Sequence, residues 1–211
     1  VAALAARRND APALLVATRF FHNYLREAIK RKDVHALYDL FYQYRTLAMD
    51  LIDRPDELRM LGKRFRYYAE QAATNGVTFA PQIAGFDLGW VVLEATAKGS
   101  PAAPDLLTEV LALRHLGSTG PAMMLVKAKL ILGAGLLERG ASDLAQRVAA
   151  DLSDLPADLV AQTANGLMAM QERAFWEVTD RQVNFEWVSA EHRAHLGRFA
   201  ALVGPTLCSD V

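Results

Sequence analysis

Histidine and cysteine are the residues of this chain that could hold a metal ion, and their spacing argues against such a site. His192 and His195 are three residues apart, so a helix would place both on one face. The string Glu-His-Arg-Ala-His is not the zinc-protease order, in which the histidines are four residues apart. No acidic residue stands three positions before any of the five histidines, which excludes the Glu-x-x-His pairs of di-iron bundles. We therefore expect no metal site and no cofactor.

Motifs for phosphate-binding loops and for nucleophilic catalysis are also missing. Gly133-x-Gly135 lacks the third glycine of a dinucleotide-binding loop, and it lies inside a helical pattern rather than after a strand. There is no Gly-x-Ser-x-Gly turn, and the single cysteine, Cys208, stands near the C-terminal end. The sequence names no catalytic residue and favours a non-enzymatic protein, although catalytic groups can assemble from distant positions.

Positive charge is concentrated in the first third of the chain. Residues 1–70 contain 13 Lys/Arg and 9 Asp/Glu, whereas residues 71–211 contain 10 and 15, so the two parts carry net charges of +4 and −5. Such a basic region can face an acidic protein, anionic lipid or RNA, or it can consist of ordinary solvated helix faces. The candidate contacts for a partner or an anionic surface are Arg7, Arg8, Lys30, Arg31, Lys32, Lys63, Arg64 and Arg66.

Aromatic residues accompany these basic residues in residues 19–24 (RFFHNY) and 63–68 (KRFRYY). Nucleic-acid bases stack on aromatic rings while arginines contact phosphates, and such a mixture could serve that purpose. However, Phe20 and Tyr24 are four residues apart and Phe65 and Tyr68 are three apart, which is the spacing of side chains on one buried helix face. We expect these four rings to pack in the core, which disfavours nucleic acid as a partner.

The most distinctive aromatic segment is residues 175–187, FWEVTDRQVNFEW. Its side chains could line a ligand pocket. Alternatively they could clamp the C-terminal part of the chain, since buried rings supply apolar area while polar groups satisfy nearby chain ends. The candidate pocket or clamp residues are Trp176, Glu177, Asp180, Arg181, Phe185 and Trp187.

Apolar residues recur every three or four positions almost throughout, and proline and glycine stand at the expected helix ends. This pattern predicts an all-α fold, a compact helical bundle or a short array of helical hairpins, with eight to nine helices. The predicted helices are 12–32, 33–53, 55–75, 83–98, 104–116, 121–139, 142–152, 156–177 and 189–203. Residues 77–82 are predicted to form an extended link. We expect a single domain over 1–211, with a seam at 99–104 between a basic, aromatic half (1–98) and an acidic half (105–211).

A short pattern of small and turn-forming residues stands in 129–156. It comprises a Leu-Gly pair, a turn glycine, a small residue and a closing proline, which are Leu132, Gly133, Gly140, Ala145 and Pro156. The segment resembles one tetratricopeptide-type (TPR-like) helical hairpin, although Lys129 and Leu136 stand where that repeat has aromatic residues. The resemblance implies hairpin-stacked helices, and no second copy follows at the period of that repeat.

The N-terminal residues suggest a cellular location. An apolar run, Val-Ala-Ala-Leu-Ala-Ala, precedes Arg7 and Arg8. One interpretation is that this run is the end of a membrane helix and that the two arginines belong to its cytoplasmic flank. The alternative is the frayed start of an ordinary helix. No uncharged apolar run of membrane-spanning length occurs in these residues. We expect a cytoplasmic domain. A further expectation is that it is attached at the inner face of the membrane, as in a membrane-anchored bacterial-type protein.

The sequence favours a cytoplasmic helical domain for protein interaction or self-assembly. One alternative is a small-molecule-binding or enzymatic domain, with its pocket between the N-terminal aromatic helices and residues 175–187. The second alternative is nucleic-acid binding through the basic N-terminal half, whose affinity would fall steeply with salt. An anionic membrane surface is a further candidate partner for the basic residues.

Overall fold

The computed structural model describes residues 11–114, 119–169 and 190–204, and within these ranges the chain forms nine α-helices and no strand. The helices are α1 (Ala11–Arg31), α2 (Val34–Asp50), α3 (Pro55–Thr74), α4 (Ala80–Ala97), α5 (Ala103–Ala112), α6 (Thr119–Glu138), α7 (Ser142–Ser153), α8 (Ala157–Ala169) and α9 (Ala190–Val203). The expected all-α fold class is therefore confirmed.

The helix ends follow the chemistry of their residues. Asp33 caps α2, because its carboxylate accepts a hydrogen bond from the backbone N–H of Ala36 at 3.0 Å. Pro55 begins α3, where its missing N–H is not needed. Gly76 follows the end of α3 with a φ of +97°, in the left-handed region that only glycine enters without strain.

The extended link predicted for 77–82 is wrong, because Thr78 and Phe79 form a turn and residues 80–82 belong to a helix. The helix α4 already begins at Ala80, and Pro81 lies in its first turn. Proline is well tolerated there because the first N–H groups of a helix have no partner within the helix. The predicted helix 83–98 therefore starts three residues too late.

The chain divides into two compact units, one up to Leu125 and one from Val126. In the first unit α4 packs against α2, α3 and α5, and α1 packs against α2 and α3. The link at 99–104 lies within this unit, where the Ser100 hydroxyl donates to the carbonyl oxygen of Ile52 at 3.1 Å. The expectation of a single domain stays a prediction.

In the second unit α9 packs against α7 and α8. Gly133 on α6 leaves room for the ring of Phe199, since a Cβ atom at this glycine would lie 2.0 Å from the ring. Lys129 and Asp151 join α6 to α7 through an ion pair of 2.7 Å. The resemblance of 129–156 to a tetratricopeptide-type hairpin also stays a prediction.

Candidate functional site: a basic seam between α1 and α3

Four basic residues lie close together in the sequence of α3, and the fold turns them to different sides of the helix. They are Arg59, Lys63, Arg64 and Arg66. At about 100° per residue, Arg59 and Arg66 lie within about 20° of each other around the helix, whereas Arg64 lies about 160° from Arg66. Arg59 and Arg66 face α5, and Arg64 is on the side of Tyr68, where α1 packs. The two sides of the same helix therefore have different partners.

On the α5 side the arginines are fully engaged. Arg59 donates to Asp105 at 2.6 Å and to Asp56 at 2.8 Å. Arg66 donates to Glu109 at 2.6 Å and to Glu70 at 2.8 Å. Arg66, one of the residues that the sequence singled out as a partner contact, thus bridges two carboxylates of its own chain.

On the α1 side the arginines have no carboxylate. Among the residues that the structure describes, no ion pair involves Arg26, Lys63 or Arg64. The positive charge of Arg26 on α1 opposes the rise in the pKa of Tyr68 that burial causes, and Tyr67, the neighbour of Tyr68 in the chain, is 52% exposed. We call His22, Arg26, Arg64, Tyr67 and Tyr68 the basic seam.

Aromatic rings in the interior pack against residues of the basic seam. His22 Nε2 lies 3.0 Å from the hydroxyl oxygen of Tyr44, and the His22 ring lies 5.3 Å from the ring of Tyr68. Tyr44 is fully buried and packs against Phe21 and Phe65 at ring distances of 5.1 Å. These contacts join α1, α2 and α3, so a packed interior holds the three helices against one another.

Burial and nearby positive charge shift the pKa values of the histidine and tyrosine side chains in and under the basic seam. Desolvation, with the positive charges of Arg64 and Arg26, lowers the pKa of His22 to about 4. The imidazole is therefore neutral at pH 7, and an unprotonated ring nitrogen can accept a hydrogen bond from the Tyr44 hydroxyl. Burial raises the pKa of Tyr44 and of Tyr68, so both phenols keep their protons.

The remaining basic residues named from the sequence occupy other places. Lys30 and Arg31 are exposed at the end of α1, where Arg31 lies 3.7 Å from Glu27. Lys32 follows with a φ of +54°, and its ammonium group approaches Gly76. Lys63 is exposed on α3. Arg7 and Arg8 lie outside the described residues, as do the six pocket or clamp residues of 175–187.

Two aromatic residues of α1 contradict the prediction that they pack in the core. Phe20 is 63% exposed and Tyr24 is 68% exposed, whereas Phe65 and Tyr68 are buried as predicted. Their spacing by four residues does place Phe20 and Tyr24 on a common face of α1. Spacing alone, however, does not determine which face of the helix meets the core. The neighbouring stripe of Phe21, Leu25 and Ile29 has the same spacing, and it is the one turned inward.

A second polar group lies between α2 and α4. Arg45 and Asp87 form an ion pair of 3.2 Å, with Arg45 also stacked over the ring of Tyr42. Burial raises the pKa of Asp87 to about 7 against the opposing effect of Arg45. The amide of Gln82, only 3% exposed, makes no hydrogen bond within the described structure. The pair joins two core helices, so we interpret it as a structural contact.

The described residues offer neither a metal-ion site nor a membrane-spanning helix. In 11–114, 119–169 and 190–204 no three His, Cys, Asp or Glu side chains are placed to hold an ion together. None of the described helices combines the length and the apolar character that crossing a membrane requires. Compared with known proteins, the chain matches no family model, no curated protein and no solved structure.

Of the basic seam, sequence reasoning named only Arg64 as a site residue and missed the other four members, which are His22, Arg26, Tyr67 and Tyr68. A signal was present, because His22 and Arg26 are four residues apart, as are Arg64 and Tyr68, so each pair shares a helix face. What was missing is the information that α1 and α3 meet at these two faces. The packing of His22 against Tyr68 supplies it.

Proposed function

We propose that this chain is a non-enzymatic helical interaction domain that binds an acidic protein surface through the basic seam. The observation that carries the proposal is the contrast on α3: Arg59 and Arg66 each bridge two carboxylates, whereas Arg64 and nearby Arg26 have none within the described residues. Unpaired arginines beside an exposed tyrosine are typical of protein interfaces, in which both residue types are enriched.

A protein partner fits the surroundings of the arginines. Met60, Arg64 and Tyr67 lie on neighbouring positions of α3, and Met60 and Tyr67 are both about half exposed. A protein segment could place apolar side chains on Met60 and Tyr67 while its acidic groups meet the arginines. The proposal keeps the domain in the cytoplasm, with attachment to a membrane an additional expectation.

Photo-cross-linking tests the proposal in the living cell. A benzophenone side chain replaces Tyr67 in one variant and Thr108, which is exposed on α5, in a matched control. We expect cross-links to an acidic protein from position 67 and not from position 108, and we expect Arg26→Glu with Arg64→Glu to remove them. The cross-links should also weaken as salt is raised in the cell extract.

Other outcomes would contradict the proposal. Cross-links that persist in the charge-reversed variant would show that the arginines are not the contact. Cross-links to nucleic acid alone would favour the nucleic-acid alternative, and equal cross-linking from positions 67 and 108 would remove the basic seam as a preferred surface. Circular dichroism of each variant shows whether it is folded.

A further inference from the structure

We infer that the outer face of α1 joins two copies of this chain in an antiparallel dimer with two-fold symmetry. The inference goes beyond the proposed function, because this face is not part of the basic seam: Arg26 lies about 120° from Phe20 around the axis of α1. The face consists of six positions, which we call the outer stripe: Ala13, Ala17, Phe20, Tyr24, Glu27 and Arg31.

The outer stripe carries two aromatic rings that the described structure leaves in water. Phe20 and Tyr24 are the two most exposed of its large hydrophobic side chains, at 63% and 68%. The opposite face of α1, on which Leu25 is fully buried, already packs against α2 and α3. Burial of the exposed rings against a partner is favourable, and an exposed apolar face of this kind is typical of an interaction surface.

The outer stripe has the spacing that pairs one helix with another. From Ala13 onwards its positions follow at intervals of four, three, four, three and four residues, which is the alternation of a helix pair. At 100° per residue the six positions fall within about 80° of arc, and at 1.5 Å per residue they extend over about 27 Å. α1 therefore presents one continuous line of contact to a second helix.

The outer stripe is complementary to itself when the second helix runs antiparallel. With a two-fold axis midway between positions 20 and 24, Phe20 lies opposite Tyr24 of the second copy, and Tyr24 lies opposite its Phe20. The two alanines at one end of the stripe then lie opposite the charged residues at the other end, whose long side chains need the room. A parallel pair would instead place Glu27 against Glu27 and Arg31 against Arg31, where like charges repel.

A membrane surface fits the outer stripe less well than a second copy does. Glu27 lies about 20° from Phe20 around the helix axis, so a lipid layer that receives the ring also meets the carboxylate. Anionic headgroups repel that carboxylate. In the antiparallel dimer Glu27 lies near the end of the contact, and its own chain supplies a cation, since Arg31 lies 3.7 Å from it.

The size of the contact predicts a weak dimer. The exposed parts of four aromatic rings amount to roughly 500 Å². The smaller and the charged residues of the outer stripe bring the total to about 1,000 Å², which is the lower limit for a specific protein interface. We therefore expect a dissociation constant in the micromolar range, roughly 1–100 μM.

Sedimentation equilibrium of the full chain tests the self-association. We expect the mass to rise from 23.2 kDa to twice this value as the concentration is raised from about 1 to about 500 μM. Phe20→Ser with Tyr24→Ser should weaken the association by about a hundredfold. Met124→Ser with Leu202→Ser, which alters two half-exposed apolar residues of α6 and α9, is the matched control and should stay within about twofold.

Disulfide cross-linking tests the antiparallel arrangement. Asn23 and Lys30 are exposed and seven residues apart, so both lie on the same flank of the outer stripe. In the antiparallel dimer the two copies of Asn23 are about 3 Å apart along the helices, whereas the two copies of Lys30 are about 24 Å apart. With Cys208→Ser as the background, Asn23→Cys should form a covalent dimer and Lys30→Cys should not.

Other results would overturn the inference. They are a folded chain that keeps the monomer mass up to about 500 μM, an equal loss of association in the two double variants, and covalent dimers from Lys30→Cys. Binding of the monomeric chain to anionic vesicles, if Phe20→Ser with Tyr24→Ser removes it, would assign the outer stripe to lipid instead. Circular dichroism shows that each variant is folded. Cross-links from position 67 test the proposed function separately, because Tyr67 lies on α3.

Discussion

On the two sides of α3, residues of the same type have opposite surroundings. Towards α5, Arg66 lies between Glu70 and Glu109, and the Glu109 side chain is only 12% exposed. Towards α1, Arg64 and Arg26 face each other's helices without a carboxylate in the described structure. Charges on the first side stabilise the fold. Charges on the second side have no such role in the described residues, so a mutation of Arg66 should affect stability, whereas under the proposed function a mutation of Arg64 should affect binding.

The largest expected effect is on the α5 side. Arg66→Ala leaves the carboxylate of Glu109 in a nearly buried position without its main partner, so we expect a loss of about 2 kcal/mol in the free energy of unfolding. Urea denaturation followed by circular dichroism measures it. In the double variant Arg66→Ala with Glu109→Ala, the loss should be smaller than the two single losses together. Additive losses would mean that the pair is not coupled.

The next largest loss of stability should come from Gly62, where α3 and α5 pack closely together. A Cβ atom at Gly62 would lie 2.6 Å from a methyl carbon of Leu106, which is buried and must shift. Overpacking outweighs the better helix propensity of alanine, so Gly62→Ala should destabilise by about 1 kcal/mol. Gly166→Ala on α8 is the control, because nothing lies within 4 Å of its Cβ position. The control should be neutral or slightly stabilising in the same denaturation experiment.

On the α1 side, the pH dependence of stability reports on His22. Its folded pKa is about 4 against 6.5 in the unfolded chain. Between these values the unfolded chain binds a proton that the folded state does not, so the contribution of His22 is complete above pH 6.5 and is lost as pH falls towards 4.

The difference in unfolding free energy between wild type and His22→Gln isolates this contribution. We expect the difference to shrink as pH is lowered from 7 to 4. His35→Gln, which alters an exposed histidine of α2, is the matched control. The contribution of Asp87, whose pKa is raised to about 7 and which therefore has the opposite slope between 3.8 and 7, is common to both proteins and cancels. A constant difference would contradict a neutral, desolvated His22.

The smallest effect on stability should come from Arg64. Because no carboxylate in the described structure depends on it, Arg64→Ala should change the free energy of unfolding by no more than about 0.5 kcal/mol. The same denaturation experiment, run beside Arg66→Ala, decides the point. A loss as large as that of Arg66→Ala would mean that both sides of α3 serve the fold.

Helix positions were largely predictable, because they depend on local patterns. Asp33, Pro55 and Gly76 each act at the helix ends where the sequence placed them. The start of α4 was placed three residues too late, because Pro81 belongs to its first turn. The candidate site was predictable only in part, because Arg64 was the one member of the basic seam named from the sequence. Arg66, which was also named, belongs to an internal ion-pair network.

What the sequence by itself determined is the helical fold class and the basic character of the N-terminal third, because periodicity and composition are properties of neighbours along the chain. The tertiary structure decided which of two equally spaced stripes on α1 is buried, leaving Phe20 and Tyr24 exposed. It also decided which arginines of α3 find a carboxylate. The physical reason is that an ion pair or a buried ring needs a second helix as its partner. Arg66 and Glu109 are 43 positions apart in the chain, and Arg59 and Asp105 are 46 apart, so each pair meets only after the helices have packed.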